Sequence, residues 1–239
     1  MSTATMSQGL VATATDSFIH GELLSMWIVD YVDLEESLAV GSIAQEEYAH
    51  AATLFLAAGL DDEARDRHVF ETPLSEWTPA QLVGSRLHDW PSTIVRGLLL
   101  AQAGIVRAEG MLASDDPQLR SAGGVFLAEY KLHAWHWGRW IRVLAESEQS
   151  SSELSAKAPG VVALGTDTFG LQTDHADAHQ DWVARVAVEL SGIVDVEGVL
   201  GSVPVARRTA ADYPELVGVV ARLRELRLGP DDGVRGLYR

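Results

Sequence analysis

Apolar positions recur three and four residues apart along most of the chain, and strand-like alternation is scarce. Read with residues that start and stop helices, this spacing predicts helices over about 14–31, 34–58, 79–89, 92–113, 117–147, 174–200 and 212–227. Asp33-Leu34-Glu35-Glu36 has the form of a capping box ahead of a run that stops at Gly59. Thr78-Pro79 and Asp116-Pro117 each set proline at a first helical position, and Pro91-Ser92 opens a run through Leu112. The segment 148–173 is rich in Ser and Gly. It reads as a long loop, or a linker to a C-terminal helical hairpin, and loops of that length often carry a function. No βαβ rhythm and no fixed-period repeat occurs. Two long helices, a connection and two more long helices predict an all-α four-helix bundle. The chain is expected to be a single domain over 1–239, with a core over about 14–200 and a C-terminal helical extension over about 201–239.

Composition narrows the chemistry. With 239 residues, 47% hydrophobic and 22% charged, the chain has ample material for one core. It has no cysteine, which excludes disulfides, thiolate metal sites and thiol catalysis, so any metal must be held by histidine and carboxylate. Eighteen basic against 34 acidic residues give a net charge of −16, which argues against nucleic acid and anionic membrane as partners. The first fifteen residues lack Lys, Arg and a long apolar run, so no secretory signal is expected, and the apolar stretch 97–106 is too short to span a bilayer. A soluble cytoplasmic protein is the expectation. The region Arg207–Arg227 is comparatively basic and could face an acidic neighbour.

Three short sequences carry candidate chemistry: His20-Gly21-Glu22, Gln45-Glu46-Glu47-Tyr48-Ala49-His50 and Glu129-Tyr130-Lys131-Leu132-His133. Residues three or four apart share a helix face, so Glu47 points with His50 and Glu129 with His133. Inside a bundle, a Glu-x-x-His pair offers a carboxylate and an imidazole to one metal ion, and a glutamate from the next helix can complete the site. Such oxygen and imidazole donors suit iron or manganese. The expected ligands are Glu22, Glu47, His50, Glu129 and His133, with Tyr130, Ala101 and Gln102 lining the pocket. The second half is incomplete. Tyr130 stands three residues before His133, where an acid would complete the motif. Helix 92–113 has Ala101 and Gln102 near its middle, and its one acid, Glu109, is about two turns further on, roughly 10–12 Å along the axis.

These residues resemble the phenylacetic acid catabolic protein family, the ferritin-like PaaA/PaaC-type subunits of phenylacetyl-CoA epoxidase. The likeness runs from about His20 to Arg142. His20-Gly21-Glu22 and Gln45 to His50 look like metal motifs of the catalytic subunit, whereas Val95-Arg96, Asp116-Pro117-Gln118-Leu119 and the Glu129/His133 spacing look like the structural subunit. The resemblance implies a ferritin-like bundle with one or two iron ions or none. It also implies an aryl-CoA substrate, and a catalytic-type sister subunit or a second copy of the chain as partner. The catalytic subunit epoxidises the aromatic ring at a di-iron centre; the structural one has lost ligands and acts as a scaffold. Two functions follow: a structural subunit with a degenerate metal site in a ring-oxidation complex of phenylacetate catabolism, or a stand-alone, diverged metal-dependent oxygenase.

Other features have plainer readings. His175 and His179, four apart among acids, could hold zinc, but an acid-rich helix start explains them. Trp137 and Trp140 are spaced as core residues, and Glu35 and Glu36 read as first-turn acids. No nucleotide-binding or nucleophile-elbow motif is present, and the two lysines, Lys131 and Lys157, make Schiff-base chemistry improbable.

Overall fold

The structure is a computed structural model that describes residues 3–28, 33–175 and 177–228. Every regular element among them is helical. Four long helices form the bundle: α1 (Thr3–Ser25), α2 (Leu34–Ala57), α5 (Trp90–Leu112) and α6 (Pro117–Ala145). Their starts follow from the sequence. The side chains of Asp33, Asp89 and Asp116 accept from the backbone N–H of Glu36, Ser92 and Gln118, satisfying donors that have no partner inside the helix. Only half of the predicted capping box forms at Asp33, because the Glu36 side chain is used elsewhere. The helices associate as two antiparallel pairs, α1 with α2 and α5 with α6. Ser7 Oγ donates to Ala58 O at one end of the first pair, and Ser25 Oγ meets Tyr48 Oη at the other.

Two glycines set the second pair. A Cβ at Gly97 would lie 2.4 Å from the Trp137 ring, and one at Gly104 would lie 2.5 Å from the Tyr130 ring. Gly97 and Gly104 are seven apart, as are Tyr130 and Trp137, so each glycine of α5 receives one ring of α6 in antiparallel register. Every residue from 92 to 106 is buried, which makes α5 the central helix, packed also by α7 (Glu148–Ala163) and α8 (Ala178–Glu189).

Several expectations are corrected. α1 begins at Thr3 rather than near 14, and the predicted end at 31 lies outside the described residues. Gly9 does not stop α1, and its bare Cα leaves room for the Thr173 side chain. A polar helix, α3 (Asp62–Glu71), escaped the pattern because Val69 is its one buried residue. The predicted helix 79–89 shrinks to α4 (Gln81–Gly84). The segment 148–173 is not a loop over its first part. Leu154, Ala158, Val161 and Val162 lie at helical spacing and are buried, while serines cover the outer face and Ser147 caps the start. The predicted 174–200 helix splits into α8 and α9 (Val196–Leu200), with Gly192 at φ +78° between them. The C-terminal α10 (Pro214–Leu228) docks through buried Leu216, Val219 and Val220. Two arginines of the basic region before and within it are engaged within the fold. Arg207 Nη1 pairs with Asp16 Oδ2 at 2.8 Å, and Arg224 donates to the carbonyls of Val69 and Thr72. No helix among the described residues is long and apolar enough to cross a membrane.

Candidate functional site

Three helices direct polar side chains into the bundle interior, and α5 closes the wall. Glu47 of α2 is 2% exposed, and its carboxylate is the centre of the cluster. His20 Nδ1 of α1 lies 3.3 Å from Glu47 Oε1. His50 Nδ1 lies 3.8 Å from Oε2, and His133 Nδ1 of α6 lies 3.9 Å from Oε1. Tyr130 donates to Oε2 at 3.4 Å and lies 3.5 Å from Ser17 Oγ, both long for O–H···O bonds. The far ring nitrogens point outward to acids at the rim: His50 Nε2 meets Glu129 Oε2 at 2.6 Å, and His133 Nε2 meets Glu46 Oε2 at 2.5 Å.

Positive charge is what this arrangement asks for. A neutral imidazole that donates through Nε2 presents a lone pair at Nδ1, and a lone pair facing a carboxylate is repulsive. Protonated imidazole or a cation relieves it. Burial alone would raise the Glu47 carboxyl, yet the neighbouring imidazoles of His20 and His50 hold it well below the ordinary carboxylate range. Burial pushes His50 down, but Glu47 and Glu129 together leave it raised. In His133 burial prevails, and the ring is lowered despite Glu47 and Glu46. Tyr130 is pushed well above 10, by burial first and by the Glu47 charge second, so it stays a phenol. The Nε2 of His20 and the Nδ1 of His50 are buried without a hydrogen-bond partner.

The structure thus brings Glu47, His50, His133 and Tyr130 together, with Glu129 at the rim. It does not bring Glu22 in. Glu22 accepts from Tyr48 Oη at 2.9 Å, away from Glu47, and burial raises its carboxyl. His20 and Glu22 stand about 200° apart around the helix, so one of them at most can face the centre, and it is His20. Ala101 and Gln102 are buried but do not line the cavity beside Glu47; Leu100, Gly104, Arg107 and Ala108 do. Gln102 faces a separate groove with Lys131 and Trp135. His179 is buried with Nε2 at 3.1 Å from Gly201 O, while His175 is exposed and lies before α8, so the two do not share a helix face.

Sequence reasoning missed three participants. His20 stood in a quoted motif without a role, and Glu46 had no signal beyond adjacency to Glu47. Glu36, read as a first-turn acid, is 4% exposed and accepts from His136 Nε2 at 2.9 Å and Trp140 Nε1 at 2.8 Å. That triad ties the start of α2 to α6.

The donor set does not fit a two-ion carboxylate-bridged centre. Such a centre takes four glutamates and two histidines, whereas here one carboxylate is central, and no group of three or more His, Asp or Glu among the described residues is arranged to hold a metal ion. The cavity beside Glu47 measures about 40 Å³. A site that admits benzene needs about 150 Å³, so an aromatic ring does not fit.

No curated protein matches the chain at a significant level. The sequence model of the phenylacetic acid catabolic protein family matches residues 1–189, which takes in all four bundle helices and every residue of the Glu47 cluster. With that match and its all-helical, ferritin-like bundle, the chain belongs to the phenylacetic acid catabolic protein family.

Proposed function

We propose that this chain is a structural, ferritin-like subunit of a phenylacetyl-CoA-epoxidase-type ring-oxidation complex, seated against a catalytic-type sister subunit. The observation that carries the reading is the Glu47 cluster. One buried carboxylate is surrounded by three imidazoles, and the raised His50 offers it the positive charge that metal ions supply in a working centre. The small cavity beside Glu47 supports the same reading, since it leaves no room for an aryl group against the carboxylate. So does the outer face of α6. Val125, Leu132 and Trp135 lie at i, i+7 and i+10 on one stripe, and the last two are 64% and 61% exposed. Large apolar side chains so placed suit a subunit contact.

The test is metal content after anaerobic Fe(II) loading, beside a Glu47→Ala control, together with ring epoxidation by a catalytic subunit with and without this chain. The expected result is no stoichiometric iron in either protein and turnover that depends on the chain's presence. About two irons per chain, lost in the control, would overturn the reading. One observation favours a second function, a stand-alone oxygenase with a single ion. Three Nδ1 atoms converge on one carboxylate, and glutamates hold the opposite nitrogens of His50 and His133, as partners of metal-bound histidines do. About one ion per chain, lost in both Glu47→Ala and His50→Ala, would establish it.

A further inference from the structure

Away from the Glu47 cluster, one cavity is lined by two arginines that enter no ion pair among the described residues. It opens between the turn that follows α1 and the segment leading into α5. Met26 and Trp27 line one side, Arg86, Leu87 and His88 the other, and Arg96 forms the floor. Its volume is about 80 Å³, several water-sized volumes.

Arg96 is the unusual member. It is 1% exposed, yet its guanidinium makes one hydrogen bond, from Nη1 to Ser85 O at 3.3 Å. Its Nε has no partner. Burial alone pushes it down to about 10, with no carboxylate acting against that. A buried charge without a counter-ion is strongly unfavourable, so such groups are normally paired. Every other well-buried arginine obeys the rule: Arg207 has Asp16, and Arg107 has Thr168 O and Asp174. Arg86 is half-buried, and its guanidinium enters no ion pair among the described residues; only its backbone N–H is engaged, by Glu215. Glu215 stands at the rim and lies 3.7 Å from His88 Nε2 rather than against either guanidinium. Among the described residues, no carboxylate pairs with the guanidinium of Arg86 or Arg96.

We propose that this pocket binds a phosphate group, held by the guanidiniums of Arg86 and Arg96 with His88 at the mouth. The planar guanidinium matches phosphate oxygens with two parallel N–H donors. Two guanidiniums and an imidazole suit a dianion better than a single carboxylate. The site does not depend on whether the Glu47 cluster takes a metal. Its phosphate comes either from solution or from a nucleotide-bearing ligand, and both present the same oxygens.

The experiment is calorimetric titration of the full chain with inorganic phosphate, with coenzyme A and with acetate, all at one ionic strength. Phosphate should bind the wild type and raise its melting temperature as its concentration rises. Arg86→Ala should weaken binding by about ten- to hundredfold, the loss expected for charged hydrogen bonds. Arg96→Met keeps the apolar volume and removes the buried charge. It should abolish binding while melting, without phosphate, no lower than the wild type. Coenzyme A binding more tightly than phosphate, with the advantage lost in Arg86→Ala, would assign the phosphate to a nucleotide-bearing ligand. Equal affinities would assign it to free phosphate, and either result upholds the site. Absence of phosphate binding to the wild type, equal binding by Arg86→Ala, or acetate binding as well as phosphate would overturn it.

Discussion

Gly104 and Gly110 lie on the same helix, yet replacing each with alanine should shift stability in opposite directions. In a helix interior the change from Gly to Ala gains about 0.8–1 kcal/mol from backbone entropy. At Gly104 the new methyl would sit 2.5 Å from three carbons of the Tyr130 ring, where carbon contacts belong near 3.5–4.0 Å. The ring has little freedom to retreat: Tyr130 is buried, with the His50 ring 4.7 Å and the Phe126 ring 6.4 Å from its centroid. Overpacking of this kind costs about 1–3 kcal/mol, which offsets the gain and leaves a net loss of up to about 2 kcal/mol. Gly110 is exposed, with nothing within 4 Å of its Cβ position. Near the helix end it should gain about 0.5 kcal/mol. For a chain of this length 1 kcal/mol moves the melting temperature by about 2–4 °C, so the two variants should separate clearly in urea melts followed by circular dichroism. Truncating Tyr130 to alanine removes the collision, and in that background Gly104→Ala should become neutral or stabilising. Gly104→Ala exceeding wild-type stability with Tyr130 intact, as Gly110→Ala should, would refute the α5–α6 register.

Three further outcomes are expected. Glu36→Ala should cost about 2–4 kcal/mol in urea unfolding, because it strands the N–H groups of His136 and Trp140; a loss under about 0.5 kcal/mol would show that water replaces the carboxylate. Asp167 is raised to about 6 from 3.8, chiefly by burial and further by Asp16, against the lowering effects of the Gln81 N–H and Arg207. The folded state therefore keeps a proton that the unfolded chain gives up earlier. The stabilisation is full below pH 3.8 and is lost as pH rises through about 6. Asp167→Asn should be more stable than wild type by about 2 kcal/mol near pH 8 and show no such gain near pH 4, and a gap that ignores pH would contradict the burial argument. His20→Ala should lower stability by about 1–3 kcal/mol, whereas Glu22→Gln, held by Tyr48 alone, should cost under about 1 kcal/mol. A reversed order in calorimetry would put Glu22, not His20, in the cluster.

The helical class and the four bundle helices were legible in the sequence because burial on one face imposes a 3.6-residue period, and the Asp caps are local. So were the i, i+3 pair Glu47/His50 and the i, i+4 pair Glu129/His133, since helix geometry fixes neighbours along one element. Even α7 has its period, in Leu154, Ala158, Val161 and Val162, masked by a serine-rich composition that reads as loop. Which face turns inward, and what meets it from another helix, is a different matter. His20 and Glu22 are equally plausible donors in one dimension. The α1–α2 packing selects the histidine and leaves the acid to Tyr48. The same holds for Gly97 with Trp137 and Gly104 with Tyr130, for Glu36 with Trp140, and for Arg96, whose lack of a counter-charge emerges only once everything around it is in place. Periodicity and capping depend on residues within about two helical turns, and a sequence states those directly. The Glu47 cluster joins residues up to 113 apart, from Ser17 to Tyr130. Its charge balance depends on distances between helices, which the tertiary packing alone decides.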